Sequence, residues 1–118
     1  MFTPARMTNA FDEYQTAAMC TAEYPNRLSN LVYPAMGVAG EAGEFCDKVK
    51  KMWRNTGEMS VHTSDRLEMV KELGDVLWYI AACAAEMDIP LSEVAQININ
   101  KLLDRRARGV IKSEGDNR

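Results

Sequence analysis

Apolar residues recur along this chain at helical spacing, and strict alternation of the strand kind is absent. Ala10, Phe11, Tyr14, Ala17 and Ala18 fall three and four apart. Such spacing predicts an amphipathic helix from about Thr3 or Thr8 to Tyr24, closed by Tyr24-Pro25-Asn26. Phe11 and Tyr14 are expected on its core side, and Gln15 beside them reads most simply as a surface amide.

A second helix is expected to begin between Leu28 and Pro34, since proline is tolerated in a first turn. It should run to about Asn55-Thr56-Gly57, with Gly57 as its stop. At 100° per residue Val38, Ala42, Phe45, Val49, Met52 and Trp53 share one arc, and Gly37, Glu41, Glu44, Lys48, Lys51 and Asn55 a neighbouring one. Glycine inside a helix costs about 1 kcal/mol relative to alanine. Gly37, Gly40 and Gly43 therefore imply that a packed backbone or a ligand comes close.

Glu58 to Ser64 is polar and of ordinary loop length, and Asp65 followed by Glu68 resembles a capping box. A third helix, from about Arg66 to Met87, is apolar nearly all round. Leu67, Val70, Leu77, Ala81 and Ala84 lie on one side, and Met69, Leu73, Val76 and Ile80 on another. A helix of this kind belongs in a bundle interior or a subunit interface. Yet one stripe carries Glu68, Glu72, Asp75, Tyr79, Cys83 and Glu86.

Asp88-Ile89-Pro90 breaks the pattern, and a fourth helix follows from Leu91 to Glu93 through about Ala107, with a polar tail over 112–118. The expected fold class is thus all-α, a four-helix core, in a single domain spanning 1–118 without repeats or linkers.

Composition narrows the function. A hydrophobic fraction of 47% with 26% charged residues is that of a folded domain, and a net charge of -3 disfavours nucleic acid as a partner. No run reaches the length of a membrane span and the N-terminus has no apolar signal core, so a cytoplasmic location is the default expectation. Cys20, Cys46 and Cys83 stand among apolar neighbours with no CxxC pair, and read as buried reduced thiols. The one histidine, His62, has no cysteine near it to share a zinc ion.

The candidate chemistry lies in two acidic doublets, Glu41-Ala42-Gly43-Glu44 and Glu72-Leu73-Gly74-Asp75. Residues three apart on a helix share a face, so each doublet can aim two carboxylates at one point. Glu41 and Glu44 could equally be a solvated face, with Glu44 pairing Lys48 four residues on. Glu72 and Asp75 interrupt a segment expected to be buried, where a carboxylate must be paired, neutralised or metal-bound. A salt bridge to Lys48, Lys51 or Lys101 competes with a metal. All-oxygen donors suit magnesium, with manganese as a substitute, and the Glu-x-x-His motif of di-iron bundles is missing. Magnesium on carboxylates points to metal-assisted hydrolysis of a polyphosphate, without a glycine-rich phosphate loop or a side-chain nucleophile. On the fourth helix Asn98, Lys101 and Arg105 form a stripe of complementary polarity, or a solvated basic edge.

In this order the residues resemble the MazG-like nucleoside triphosphate pyrophosphohydrolases. The likeness is carried by Phe11-Asp12-Glu13-Tyr14-Gln15, by Gly37 to Glu44, by Lys71-Glu72-Leu73-Gly74-Asp75-Val76-Leu77, and by Asn98-Ile99-Asn100-Lys101-Leu102 with Arg105. Arg106, Ala107 and Val110 depart from the aromatic, proline and phenylalanine common in that family. The resemblance implies cleavage of a nucleoside triphosphate between its α and β phosphates, giving monophosphate and pyrophosphate. It implies magnesium on Glu41, Glu44, Glu72 and Asp75, which would be both metal ligands and catalytic residues. Asn98, Lys101 and Arg105 would hold phosphate, Gln15 and Trp53 are candidates to contact the base, and the assembly would be a homodimer or homotetramer. An idle helical module that senses nucleotides, an enzyme of the same fold acting on guanosine tetraphosphate-type alarmones, and a structural oligomer whose carboxylates pair with lysines are the alternatives.

Overall fold

Four α-helices make up most of the computed structural model, which describes residues 9–61 and 63–109. They are α1 (Ala10–Met19), α2 (Val32–Thr56), α3 (Arg66–Glu86) and α4 (Leu91–Ala107), with a 3₁₀ turn at Thr63–Asp65 leading into α3. The expected starts at Thr3 or Thr8, the tail over 112–118, His62 and Val110 lie outside the described residues.

α2 and α3 form a long antiparallel hairpin. α1 and α4 pack on each other and on α3, whereas α2 makes no comparable contact with either among the described residues. The bundle is accordingly open, with a radius of gyration of 16.8 Å. A compact chain of this length would have about 13 Å.

The core sits at one end, where Ala18, Met19, Ala22 and Tyr24 meet Ala81, Ala82 and Leu91, with Tyr14, Trp78 and Ile80 packed around them. Three alanines within one turn of α3, Ala81, Ala82 and Ala84, let its neighbours approach closely and are almost wholly buried. The other end of α3 is different. Leu67 is 64% exposed and Val70, Leu73 and Leu77 are exposed with it, so the all-round apolar helix is interior along only half its length.

Local chemistry explains most boundaries. Gly57, at φ 74°, closes α2 in the left-handed conformation, its N–H donating to the Trp53 carbonyl. The N-terminus of α4 is capped by α1. Ser92 N–H donates to Asp12 at 2.9 Å and Ser92 Oγ–H to the same carboxylate at 2.7 Å, while Leu91 N–H donates to the Gln15 amide oxygen at 3.0 Å. Two boundaries differ from expectation. Asp65 precedes α3 but makes no side-chain capping bond, because the 3₁₀ turn holds it in helical φ and ψ. α1 stops at Met19 and not at Tyr24, since Thr21 Oγ–H and Trp78 Nε1–H both donate to the Ala18 carbonyl that a further turn would use.

That early stop leaves Cys20 exposed, and Cys46 is exposed on the uncovered side of α2; only Cys83 is half-buried. The expectation of three buried thiols thus fails for two of them. In the other direction, Cys83 is pushed above its ordinary value by burial.

The loop from α1 to α2 is held by a single carboxylate. Glu86 accepts the Tyr24 hydroxyl, Leu28 N–H at 2.7 Å and Asn30 N–H at 2.8 Å. These bonds, the Tyr24 hydroxyl first, hold Glu86 below the ordinary 4.5 of a glutamate. A carboxylate with a depressed folded-state value stabilises the fold above its unfolded value and loses that contribution as pH falls through the folded one. Acid melts from pH 6 to 3 should therefore show a fall in Tm below about pH 4.5 that Glu86→Gln removes, at the expense of a lower Tm at neutral pH. Equal acid sensitivity in the two proteins would exclude this assignment.

Candidate metal centre

The two acidic doublets meet where α2 crosses α3. Glu41 from α2 and Glu72 and Asp75 from α3 bring carboxylate oxygens within 4.8 Å of one another. Glu41 and Glu72 are half-buried, but Asp75 is exposed. The expected burial of the α3 doublet therefore holds for Glu72 only. Asp75 faces the open side of a groove because α2 does not cover it.

Glu44 is exposed, one turn beyond Glu41, and is not among the three convergent groups, though its charge reaches Glu41. Crowding of negative charge acts on Glu41 itself. The Glu41 carboxyl is raised above 4.5, first by burial, then by Asp75, Glu72 and Glu44, and by its hydrogen bond to Glu72.

Lys48 partly balances that charge. Its ammonium lies 3.0 Å from Glu72 and 3.4 Å from Glu68, and these bonds, the one to Glu72 first, raise it above its ordinary value. The lysine pair anticipated as a rival to metal binding is thus present at one of the three carboxylates. Glu41 and Asp75 keep their oxygens turned to the same point.

A cavity of about 370 Å³ adjoins them, lined by Thr21, Glu41, Asp75, Trp78 and Tyr79. The two aromatic rings meet edge to face, with centroids 5.0 Å apart. Burial raises the Tyr79 hydroxyl above its ordinary value, with smaller contributions from Tyr33, Glu41 and Asp75. Trp78 is fixed by donating Nε1–H to Thr21 Oγ at 2.9 Å as well as to Ala18. Sequence reasoning gave neither aromatic a role. The signal for Tyr79 was present, because it stands four residues after Asp75 on the acidic stripe.

Gly37 explains why α2 and α3 can meet here. A Cβ at this position would overlap the ring of Tyr79, whereas nothing lies near Gly40 or Gly43. Of the three helix glycines read as marks of close approach, one serves that purpose within the chain.

The remaining expected site residues do not line this cavity. Asn98 is exposed on α4, Lys101 half-buried and Arg105 only 3% exposed. Trp53 is 55% exposed and lies twelve residues past Glu41, about 18 Å along the helix. Gln15 commits its amide to backbone, donating to the carbonyls of Ala81 and Ile89 and accepting from Leu91 N–H.

An all-α bundle with three carboxylates from two helices converging beside an aromatic-lined groove defines a carboxylate-site protein fit for a hard divalent cation. The chain belongs to the MazG nucleotide pyrophosphohydrolase domain family, whose pattern matches residues 34–110. It is also 46% identical over 112 residues to the Gene 37 protein of Mycobacterium phage L5, an alignment covering 91% of this chain and 97% of that one. No solved structure matches. Among the described residues no helix is long and apolar enough to cross a membrane.

Proposed function

We propose that this protein is a magnesium-dependent nucleotide pyrophosphohydrolase, with manganese as a substitute, that cleaves ribo- or deoxyribonucleoside triphosphates between the α and β phosphates. The observation that carries the reading is the convergence of Glu41, Glu72 and Asp75 inside a MazG domain. Their donor chemistry fits the cation, being all oxygen and crowded enough to raise Glu41.

A bound cation supplies neutralisation of phosphate oxygens and a lowered pKa for an attacking water. The chain's own residues do the rest. Glu41, Glu72 and Asp75 fix the position of the charge, and Glu44, one turn away, adds a fourth carboxylate. Lys48 holds one oxygen of Glu72 and so sets the direction of the other. Asn98 and Lys101, with Arg105 behind them, are the α4 groups suited to phosphate. The exposed apolar edge of α3, from Leu67 to Leu77, supports assembly as a homodimer or homotetramer.

The test is release of pyrophosphate from a panel of nucleoside triphosphates, with magnesium and with chelator. Turnover that is indifferent to chelation, or orthophosphate as the first product, would refute the reading. A second measurement needs no substrate. Magnesium at about 100 times its Kd should add roughly 2.7 kcal/mol to folding stability at neutral pH. Because Glu41 is raised, protons compete for the same oxygens, so the stabilisation should shrink as the solution is acidified through the folded Glu41 value. A metal-induced rise in Tm that persists unchanged at acid pH would contradict the assignment of ligands.

A further inference from the structure

A cavity of about 480 Å³ opens where α1, the α1–α2 loop and the bend between α3 and α4 come together. It shares no lining residue with the carboxylate groove. Its size falls within the roughly 300–1,000 Å³ of small-molecule sites.

The floor of this cavity is apolar and its rim carries both signs of charge. Met19 is buried and Ala85 and Ile89 are half-buried, whereas Thr16, Arg27 and Asp88 stand exposed around them. Glu86 draws the two charged segments together. Its carboxylate accepts Leu28 N–H at 2.7 Å; Arg27 precedes the first of these partners in the chain, and Asp88 follows the second by two residues. The guanidinium is not spent on Glu86, which is held by the Tyr24 hydroxyl and two backbone N–H groups and feels Arg27 least of its neighbours.

The backbone beside the cavity is set in an unfavourable shape. Among the described residues three non-glycine positions have left-handed φ: Asn26 at 55°, Leu28 at 71° and Asp88 at 55°. Asp88 takes it in closing α3, where Ile89 N–H donates to the Ala84 carbonyl at 2.9 Å. Asn26 and Leu28 end no helix; they stand on either side of Arg27. Leu28 recovers none of this cost in burial, being 65% exposed. Strain of this kind collects where a ligand is clamped.

We propose that this cavity is a second ligand site, taking a free amino acid with an apolar side chain. The ligand carboxylate pairs with Arg27, its ammonium with Asp88, and its side chain lies over Met19 and Ile89. A plain anion meets the repulsion of Asp88, a plain cation that of Arg27, and a zwitterion satisfies both. The apolar floor favours leucine or methionine over glycine. An occupant ties the α1–α2 loop to the α3–α4 bend.

The cavity carries its own reporter. Cys20 lines it and is exposed, while Cys46 is exposed on α2 and does not line it. The test titrates L-leucine into the full chain and follows alkylation of each cysteine by iodoacetamide, site by site, by peptide mass spectrometry. Leucine should slow reaction of Cys20 several-fold at saturation and leave Cys46 unchanged. Isocaproate, which lacks the ammonium, and isoamylamine, which lacks the carboxylate, should each bind about tenfold more weakly, by the loss of one charge-assisted bond.

Two variants assign the ends. Arg27→Ala should bind leucine no better than isoamylamine, and Asp88→Asn no better than isocaproate. Both positions are exposed, and asparagine accepts the left-handed φ of residue 88, so both proteins should melt like the parent without ligand. The analogue series is read on the parent and needs no variant. Absence of Cys20 protection up to the solubility of leucine, equal protection of Cys46, analogues binding as tightly as leucine, or an affinity for leucine unchanged in both variants would each overturn the proposal.

Discussion

Asp75→Asn should lose metal-dependent turnover by about three orders of magnitude, the scale of several kcal/mol expected when a divalent cation loses a carboxylate ligand. Its melting temperature without metal should stay level or rise. Asp75 is exposed, so its carboxylate does not pack a core, and after burial it is the largest influence raising Glu41. Removing one of three crowded negative charges relieves repulsion in the metal-free protein, while the same change weakens cation binding and abolishes the magnesium-induced rise in Tm. A purely structural carboxylate gives the reverse signature, a lower Tm without metal. Pyrophosphate release and thermal melts with and without magnesium, run on one preparation, decide between them. If activity survived within a few-fold, the metal centre would have to be sought elsewhere.

The ends of helices set by their own residues were legible: Gly57 stops α2, and Pro90 precedes α4. Three of the four acids converge as their spacing implied, because spacing within a helix and antiparallel pairing of two long helices suffice to bring Glu41, Glu72 and Asp75 together. What was not legible depends on contacts between distant segments. The end of α1 is decided by Trp78, some 60 residues away. Exposure of Cys46 and of Leu67 follows from α2 and the first half of α3 packing on each other but on no second helix among the described residues, which no local pattern records. The stacking of Tyr24 on Tyr33 and of Tyr33 toward Tyr79 draws on three separate segments, and its local signs were only the glycine at 37 and the place of Tyr79 on the acidic stripe.

Gln15 gives the sharpest contrast between a residue's type and its employment, and its replacement should have the largest effect on stability. A polar amide on the edge of α1 suits either solvent or a base, yet each end of this one is bonded to backbone. Nε2–H donates to the carbonyls of Ala81 and Ile89, each at 3.2 Å, and Oε1 accepts Leu91 N–H at 3.0 Å. It thereby joins α1, the last turns of α3 and the first residue of α4, where the bend at Asp88 adopts φ 55°. Gln15→Leu keeps the volume but strands the Leu91 N–H and the Ile89 carbonyl and takes a second donor from the Ala81 carbonyl, which stays bonded within α3, at about 1 kcal/mol or more for each stranded group. Water from the adjoining cavity, which Gln15 and Ile89 line, can replace part of this. The net loss should be about 2–3 kcal/mol, or on the order of 10 °C in Tm for a chain of this size. Gln15→Glu should be worse, since its carboxylate would face two carbonyl oxygens that now receive a donor. Magnesium affinity should be the same in both, because neither the amide nor its partners touch Glu41, Glu72 or Asp75. A Gln15→Leu protein that melts like the parent but shows a raised nucleotide KM would instead make this amide a contact to the base.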